Sequence, residues 1–151
     1  MAFIDEGTPR WDTFEAGGTG DTAVDSSTEA NLLVVGSKGT TDKYEKVALT
    51  SAAIDDFCGV TDKVDGFNSD DPYKLTSLKL VRVKTSKKLR VRTDTAYVAA
   101  DYNKSIVADA TSGKQGYGVV SSTNGKGRVV GGETIGTKHY LDFWLDEGDN
   151  V

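Results

Sequence analysis

The chain carries few side chains of the kinds that perform catalysis. His139 is its only histidine and Cys58 its only cysteine. A Ser-His-Asp or Cys-His arrangement would have to use His139. His139 lies on the same face of a predicted β-strand as Leu141 and Phe143. We therefore expect a structural or surface role for His139 and a buried apolar role for Cys58. No enzyme activity is predicted.

Motifs for metals and nucleotides are equally sparse. One histidine and one cysteine cannot supply an ordinary zinc site. Gly125-Lys126 lacks the upstream glycine of a phosphate-binding loop, and Gly116-Tyr117-Gly118 lacks the third glycine of a dinucleotide fingerprint. Adjacent acids such as Asp55-Asp56 could act in glycoside hydrolysis and the loop acids between 62 and 71 could hold calcium, but solvated loop carboxylates are the simpler interpretation. We expect no cofactor and no metal.

The elements that would position any site have the character of β-strands. The 151 residues include 17 glycines and 2 prolines, and periodic helical runs are missing. About nine or ten short segments follow one another at close to the ~8–12-residue spacing of a sandwich or barrel. The sequence predicts an all-β fold, a small β-barrel or β-sandwich of short antiparallel strands. We divide it into an extended N-terminal arm (1–30), a β domain (31–145) and an acidic tail (146–151).

Two β-hairpins are predicted in the β domain. Asn124-Gly125 is typical of a type I′ turn, which needs positive φ at both central residues. With this two-residue loop, Val120 would face Val129. A second hairpin, between residues 75 and 95, would turn at Thr85-Ser86-Lys87-Lys88. The four valines at positions 119, 120, 129 and 130 are expected in the core.

The longest alternating stretch lies near the end of the chain, after an expected break at Gly131-Gly132. One face of this predicted strand is apolar and should be buried, whereas the other should be half-exposed. The buried face comprises Leu141, Phe143 and Leu145, and the other comprises Tyr140, Asp142 and Trp144.

The first thirty residues are acidic and also carry aromatic side chains. They hold seven acids against one base, a composition typical of a disordered arm. Thr8-Pro9 could begin a short helix that has Trp11 and Phe14 on one face and ends at Gly17. The aromatic residues, Phe3 among them, either fold back on the chain's own core or anchor on a neighbouring subunit.

The clearest charged feature is a basic run from residue 74 to residue 92, with eight bases and no acid. It has no aromatic residue for base stacking, and the whole chain has a net charge of −5, so we expect no nucleic-acid partner. The run is a solvated face, a partner for the acidic segment of the same chain, or a subunit interface. The candidate interface residues are Phe3, Trp11, Phe14, Arg82, Lys84, Lys87, Lys88, Arg90, Arg92 and Trp144.

We expect neither a targeting segment nor a membrane partner. The first six residues lack the basic and apolar regions of a signal peptide, and no apolar run approaches the ~18 residues of a membrane span. A single free cysteine is compatible with folding in a reducing cytosol.

Several segments resemble the head-decoration, or capsid cement, proteins of tailed bacteriophages, over about residues 32–145. The resemblance implies a small β-barrel or sandwich with an extended N-terminal arm and no catalytic residues. Such proteins are commonly homotrimers on the outer surface of the head, where they clamp major capsid subunits against internal DNA pressure. The segments are Val47-Ala48-Leu49 with Ala52-Ala53, Asp56-Phe57-Cys58-Gly59-Val60, Lys88-Leu89-Arg90-Val91-Arg92, Gly116-Tyr117-Gly118-Val119-Val120, Gly127-Arg128-Val129-Val130-Gly131 and Leu141-Asp142-Phe143-Trp144-Leu145.

The resemblance therefore implies a structural virion protein, made in the host cytoplasm, that decorates and stabilises a phage capsid by bridging major capsid subunits. Its partners would be the major capsid protein and further copies of itself. Two alternatives remain open. One is another virion subunit of the tail, the head–tail junction or a fibre. The other is a carbohydrate-binding β domain in which Trp144, Tyr140 and Trp11 stack on sugars.

Overall fold

The computed structural model describes residues 10–25, 28–37, 46–62, 80–122 and 125–145. Together these residues form ten strands and two short 3-10 turns, and they contain no α-helix. The predicted all-β class is confirmed. The strands are β1 (Trp11–Ala16), β2 (Leu33–Ser37), β3 (Lys46–Leu49), β4 (Phe57–Thr61), β5 (Leu80–Lys84), β6 (Lys88–Thr93), β7 (Ser105–Ala108), β8 (Gly118–Ser121), β9 (Gly127–Ile135) and β10 (Lys138–Leu145).

The strands divide into a closed barrel and an open sheet. The barrel has the strand order β1-β3-β2-β4-β5, and the second sheet has the order β6-β10-β9-β7-β8. Only the β1–β3 pair is parallel; every other described pair is antiparallel. The prediction of a small barrel or sandwich of short strands is therefore confirmed.

One apolar core fills the barrel, and a second lies between the barrel and the second sheet. Successive residues of a strand point to opposite faces, so Val34 lies in the barrel interior while its neighbour Leu33 faces the second sheet. The core between barrel and sheet includes Phe57 and Phe143, whose rings meet edge to face at 5.9 Å between centroids. Phe143 is completely buried and Leu141 is 1% exposed, which confirms the predicted inner face of the last strand at these two positions. Leu145, the third residue of that face, is half-buried against the same core.

The hairpin predicted at Asn124-Gly125 is wrong, because β7 lies between β8 and β9. Ile106 of β7 pairs with Val120 on one side and with Gly127 on the other. A Cβ atom at Gly125 would lie 2.1 Å from the Ile106 carbonyl oxygen, so this glycine allows the chain to pass close to β7. Residues 123 and 124 lie outside the described part of the chain.

The burial of the four valines follows from this strand order. Val129 is fully buried, as expected, and Val120 packs partly buried against the core between the two layers. Val130 is half-buried, and Val119 lies on the surface of β8. The expectation of a core position is therefore wrong for Val119.

The second sheet does contain a long hairpin, formed by β9 and β10. Ile135 pairs with Lys138 across the two-residue loop Gly136-Thr137. Gly136 has φ of 64°, and glycine at the first central position is typical of a type II′ turn. The expected break at Gly131-Gly132 is wrong, since both glycines lie inside β9. A Cβ atom at Gly132 would lie 2.5 Å from the Tyr97 Cβ, so Gly132 makes room for that side chain.

The second predicted hairpin is also wrong, because β5 and β6 belong to different layers. The connection at residues 85–87 turns the chain from the barrel into the second sheet. Arg10 N donates to Ser86 Oγ at 2.8 Å, and Leu145 N donates to the Lys87 carbonyl oxygen at 2.7 Å. The ends of β1 and β10 therefore fix the connection where a local hairpin was expected.

The short helix predicted after Thr8-Pro9 is wrong over its described part, since Trp11 and Phe14 lie in strand β1. β1 pairs with β5 over five residues, so this part of the first thirty residues is a wall of the barrel. Three positions along a strand place two side chains on opposite faces. Phe14 packs towards the barrel core, whereas Trp11 is 41% exposed. No helix in the described ranges is long and apolar enough to cross a membrane.

A candidate protein-binding surface

Two tryptophans lie at the two ends of the connection between β5 and β6. Trp11 of β1 pairs with Lys84 at the end of β5. Trp144 of β10 pairs with Lys88 at the start of β6. Because cross-strand partners lie side by side on one face of a sheet, each tryptophan sits beside a lysine. We call the residues at and beside this connection, Arg10, Trp11, Lys84, Lys87, Lys88 and Trp144, the basic corner.

Hydrogen bonds hold the backbone of the basic corner in place. Thr85 N donates to the Arg10 carbonyl oxygen at 2.9 Å, and Thr85 Oγ1 donates to Asp12 Oδ2 at 2.8 Å. The Ser86 side chain is buried and accepts from Arg10 N. A further hydrogen bond runs from Leu145 N to the Lys87 carbonyl oxygen. The corner is therefore a fixed junction of three chain segments, which reduces the entropy lost on binding.

The lysines of the corner are not neutralised within the described structure. Lys87 and Lys88 are exposed and Lys84 is half-buried, and none of the three forms an ion pair with a described residue. Arg10 lies 3.6 Å from Asp12, and its side chain is 67% exposed. The corner therefore presents positive charge next to aromatic surface.

The next basic residue of β6 has a different environment. Arg90 donates to both carboxylate oxygens of Asp142, at 2.7 Å and 3.0 Å, and also to Glu133. Its guanidinium carbon lies 5.8 Å from the Tyr140 ring centroid. The hydrogen bonds to Asp142 raise the pKa of Arg90 above its ordinary value, with Glu133 adding to the effect against partial desolvation.

Arg92 is also occupied within the chain. It donates to Glu29 Oε1 at 2.6 Å, and Lys138 Nζ lies 3.4 Å from the other oxygen of that carboxylate. The Arg92 guanidinium carbon lies 5.1 Å from the Tyr117 ring centroid. An acid of the first thirty residues thus pairs with the basic run inside one chain, as one sequence interpretation allowed. We call Arg90, Arg92 and their carboxylate partners the arginine cluster.

The structure sorts the candidate interface residues into separate places. Trp11 and Lys84 lie at one end of the connection between β5 and β6, and Lys88 and Trp144 lie at the other. Lys87 belongs to the connection itself, Arg90 and Arg92 belong to the arginine cluster, and Phe14 packs in the barrel. Phe3 and the side chain of Arg82 lie outside what the structure describes. Sequence reasoning missed Arg10, whose place is set by its contacts with Ser86, and Arg128, which pairs with Trp144 on its other side.

The residues considered for catalysis lie apart from one another, in the following contacts. The His139 Nδ1 atom lies 2.8 Å from the Thr134 hydroxyl on the surface. The Cys58 thiol is half-buried and lies 3.7 Å from the Val34 carbonyl oxygen. The Asp55 carboxylate accepts from the Ser51 and Ala52 amides at 2.8 Å and 3.0 Å. Within the described ranges no three His, Cys, Asp or Glu side chains are grouped to hold a metal ion.

The aromatic residues considered for sugar stacking are likewise separated. Tyr140 and Trp144 share the outer face of β10, but Arg90 lies over the Tyr140 ring. Trp11 lies on the barrel, next to Lys84. Comparison of the chain with protein-family models, with curated proteins and with solved structures finds no match in any of the three.

Proposed function

We propose that this protein is a structural virion protein that decorates and stabilises a tailed-bacteriophage capsid. The observation that carries the proposal is the basic corner, where Trp11 and Trp144 flank lysines that have no described ion-pair partner. Tryptophan is enriched at protein-binding hot spots, and lysines without an ion-pair partner attract and orient an acidic partner. The corner therefore has the chemistry of a protein interface, and the sequence resemblance supplies the capsid as its partner.

Binding would join the folded protein to the assembled shell. The lysines attract an acidic surface of the major capsid protein and fix its orientation, and the two indoles supply apolar contact area. The protein would bind on the outer surface as a homotrimer, bridging neighbouring capsid subunits. A ligand that binds only the assembled shell stabilises that shell by mass action. No catalytic step belongs to this function.

The experiment adds purified full-length protein to undecorated phage heads. We expect the protein to co-sediment with the heads and to raise their melting temperature, with saturation at a fixed number of copies. An unrelated acidic protein of similar size is the control. If the protein neither co-sediments nor shifts the melting temperature, the proposal is wrong.

The same experiment separates decoration from the other virion assignments. A tail, head–tail or fibre subunit would use the same kind of surface but would be present in far fewer copies per particle. Counting copies per virion by quantitative mass spectrometry therefore decides between them. Decoration requires a copy number comparable with that of the major capsid protein.

A further inference from the structure

β6 is an edge strand of the second sheet, beside the basic corner, and between the connection and Asn31 two of its residues have no backbone partner on the outer side among the described residues. We infer that this edge accepts one extended strand of the shell protein, with a carboxylate side chain opposite Lys88. The inference rests on the proposed function and names the way in which the partner is held. It follows from the direction of the backbone N–H and C=O groups along β6 and from the charge of Lys88, which has no described ion-pair partner.

The register of β6 against β10 fixes which backbone groups face outward. Leu145 N donates to the Lys87 carbonyl oxygen, so Lys87 directs its backbone polar groups towards β10. Both groups of one residue in an antiparallel strand point to the same side, and successive residues alternate. The backbone groups of Lys88, Arg90 and Arg92 therefore point away from β10. The hydrogen bond of Arg92 is consistent with this direction, because the Arg92 amide donates to the carbonyl oxygen of Asn31, which is not part of β10, at 2.8 Å.

Lys88 and Arg90 are left with outward N–H and C=O groups. Neither residue has a backbone partner on that side among the described residues. Unpaired groups along a sheet edge are a template for an additional strand. Adding an extended segment to such an edge is an established mode of peptide recognition, in which main-chain hydrogen bonds supply affinity and side chains supply specificity.

The side chains on the outer face define what the added strand should carry. Lys88 has no described ion-pair partner, so a carboxylate opposite it, roughly 5 Å away between Cβ atoms, would form a cross-strand pair. Arg90 is already held by Asp142 and Glu133, and its position calls for an uncharged partner. Trp144 lies next to Lys88 in the same row. The occupant is an extended segment of the shell protein with one acid at this register.

Two substitutions at one position separate the backbone from the charge. Lys88→Pro removes both the outward N–H and the charge, whereas Lys88→Gln removes only the charge. Proline is tolerated on an edge strand where its missing N–H faces solvent, so both variants should keep the wild-type circular dichroism spectrum. We expect Lys88→Pro to bind undecorated heads roughly five- to tenfold more weakly than Lys88→Gln. Equal affinity of the two folded variants would overturn the inference.

Hydrogen exchange on the wild-type protein gives a second test that does not depend on a variant folding. The peptide covering residues 87–92 should gain protection when the protein is bound to heads. If the protein binds heads but this peptide gains none, the edge proposal fails while the proposed function stands. If the protein does not bind heads at all, the proposed function fails. Protection that rises with protein concentration without heads would identify a second copy as the occupant and would also overturn the inference.

Discussion

The arginine cluster and the basic corner derive from the same basic run, yet they have opposite environments. On β6, Arg90 faces Asp142 across the ladder, whereas Lys88 faces Trp144. Two neighbouring bases on the same face of β6 therefore differ in their partners. Arg90 is bound by two carboxylates, whereas Lys88 lies beside the Trp144 ring and has no described ion-pair partner. The cross-strand partner decides whether a base is structural or available for binding.

The type of base agrees with this division. The planar guanidinium of Arg90 donates to both oxygens of Asp142, a geometry that lysine cannot reproduce. The exposed positions 87 and 88 carry lysines, whose strongly hydrated ammonium groups on flexible stems gain little from surface ion pairs within a chain. We therefore propose that Arg90 and Arg92 stabilise the second sheet and that Lys87 and Lys88 bind the partner.

Substitution of Arg90 should have the largest effect of those that test this contrast, and the effect should be on the free energy of unfolding. Arg90→Ala leaves Asp142 and Glu133 close together without their shared counter-charge. We expect a loss of about 2 kcal/mol in the free energy of unfolding, since hydrogen bonds to charged groups are lost at a half-buried site. Urea denaturation followed by circular dichroism measures it.

Lys88→Ala is the matched control, because it shortens another long base on the same strand. Its free energy of unfolding should stay within about 0.5 kcal/mol of the wild type. Equal losses in the two variants would remove the distinction between the arginine cluster and the basic corner.

The next effect is on binding at the corner. The double substitution Lys87→Gln and Lys88→Gln should weaken binding to undecorated heads by about tenfold, because two unpaired cations are lost from the contact. The pair Lys104→Gln and Lys138→Gln removes the same charge away from the corner and should leave binding unchanged. Co-sedimentation titrations measure both. A similar loss in the two pairs would mean that only net charge matters.

The smallest effect is expected at the ion pair of Asp94 and Lys114, next to the arginine cluster. Lys114 Nζ lies 2.9 Å from Asp94 Oδ1 and 5.2 Å from the centroid of the Tyr117 ring that Arg92 also approaches. The hydrogen bond from Lys114 lowers the pKa of Asp94 below its ordinary value of 3.8, and the same bond raises the pKa of Lys114. At pH values above 3.8 the ionised Asp94 therefore stabilises the fold. This contribution is lost as the pH falls through the lowered pKa of Asp94.

Asp94→Asn tests the sign of this effect. The wild type should be the more stable of the two proteins at about pH 7, and the difference should shrink as the pH falls below about 4. Urea denaturation at a series of pH values gives the curve. A difference that grows on acidification would contradict the assigned direction of the pKa shift.

Local patterns in the sequence were sufficient for the strand class and for one buried face. The alternation around Leu141 and Phe143 determines which side chains are apolar and in register, and the structure buries both. Tryptophan and lysine at the corner were also found from sequence, because charge runs and large aromatic residues stand out on their own. What could not be found was their grouping, since it depends on pairing between distant strands.

The failures share one physical cause. Asn124-Gly125 gives a strong local turn signal, but β7 occupies the edge that the predicted hairpin required. The connection between β5 and β6 has the pattern of a hairpin, yet hydrogen bonds from Arg10 and Leu145 direct it across two layers. Arg90 and Lys88 look alike in sequence because their partners lie some fifty residues away along the chain. Long-range pairing outweighs local propensity in each case.

Lysine footprinting on decorated heads tests the central claim most directly. Full-length wild-type protein, free and bound to undecorated heads, is treated with an amine-reactive reagent, and each lysine is quantified by mass spectrometry. Our account predicts that labelling of Lys87 and Lys88 falls on binding while labelling of Lys104 and Lys138 does not. Unchanged labelling of Lys87 and Lys88 on saturated heads would contradict the assignment of the basic corner as the binding surface.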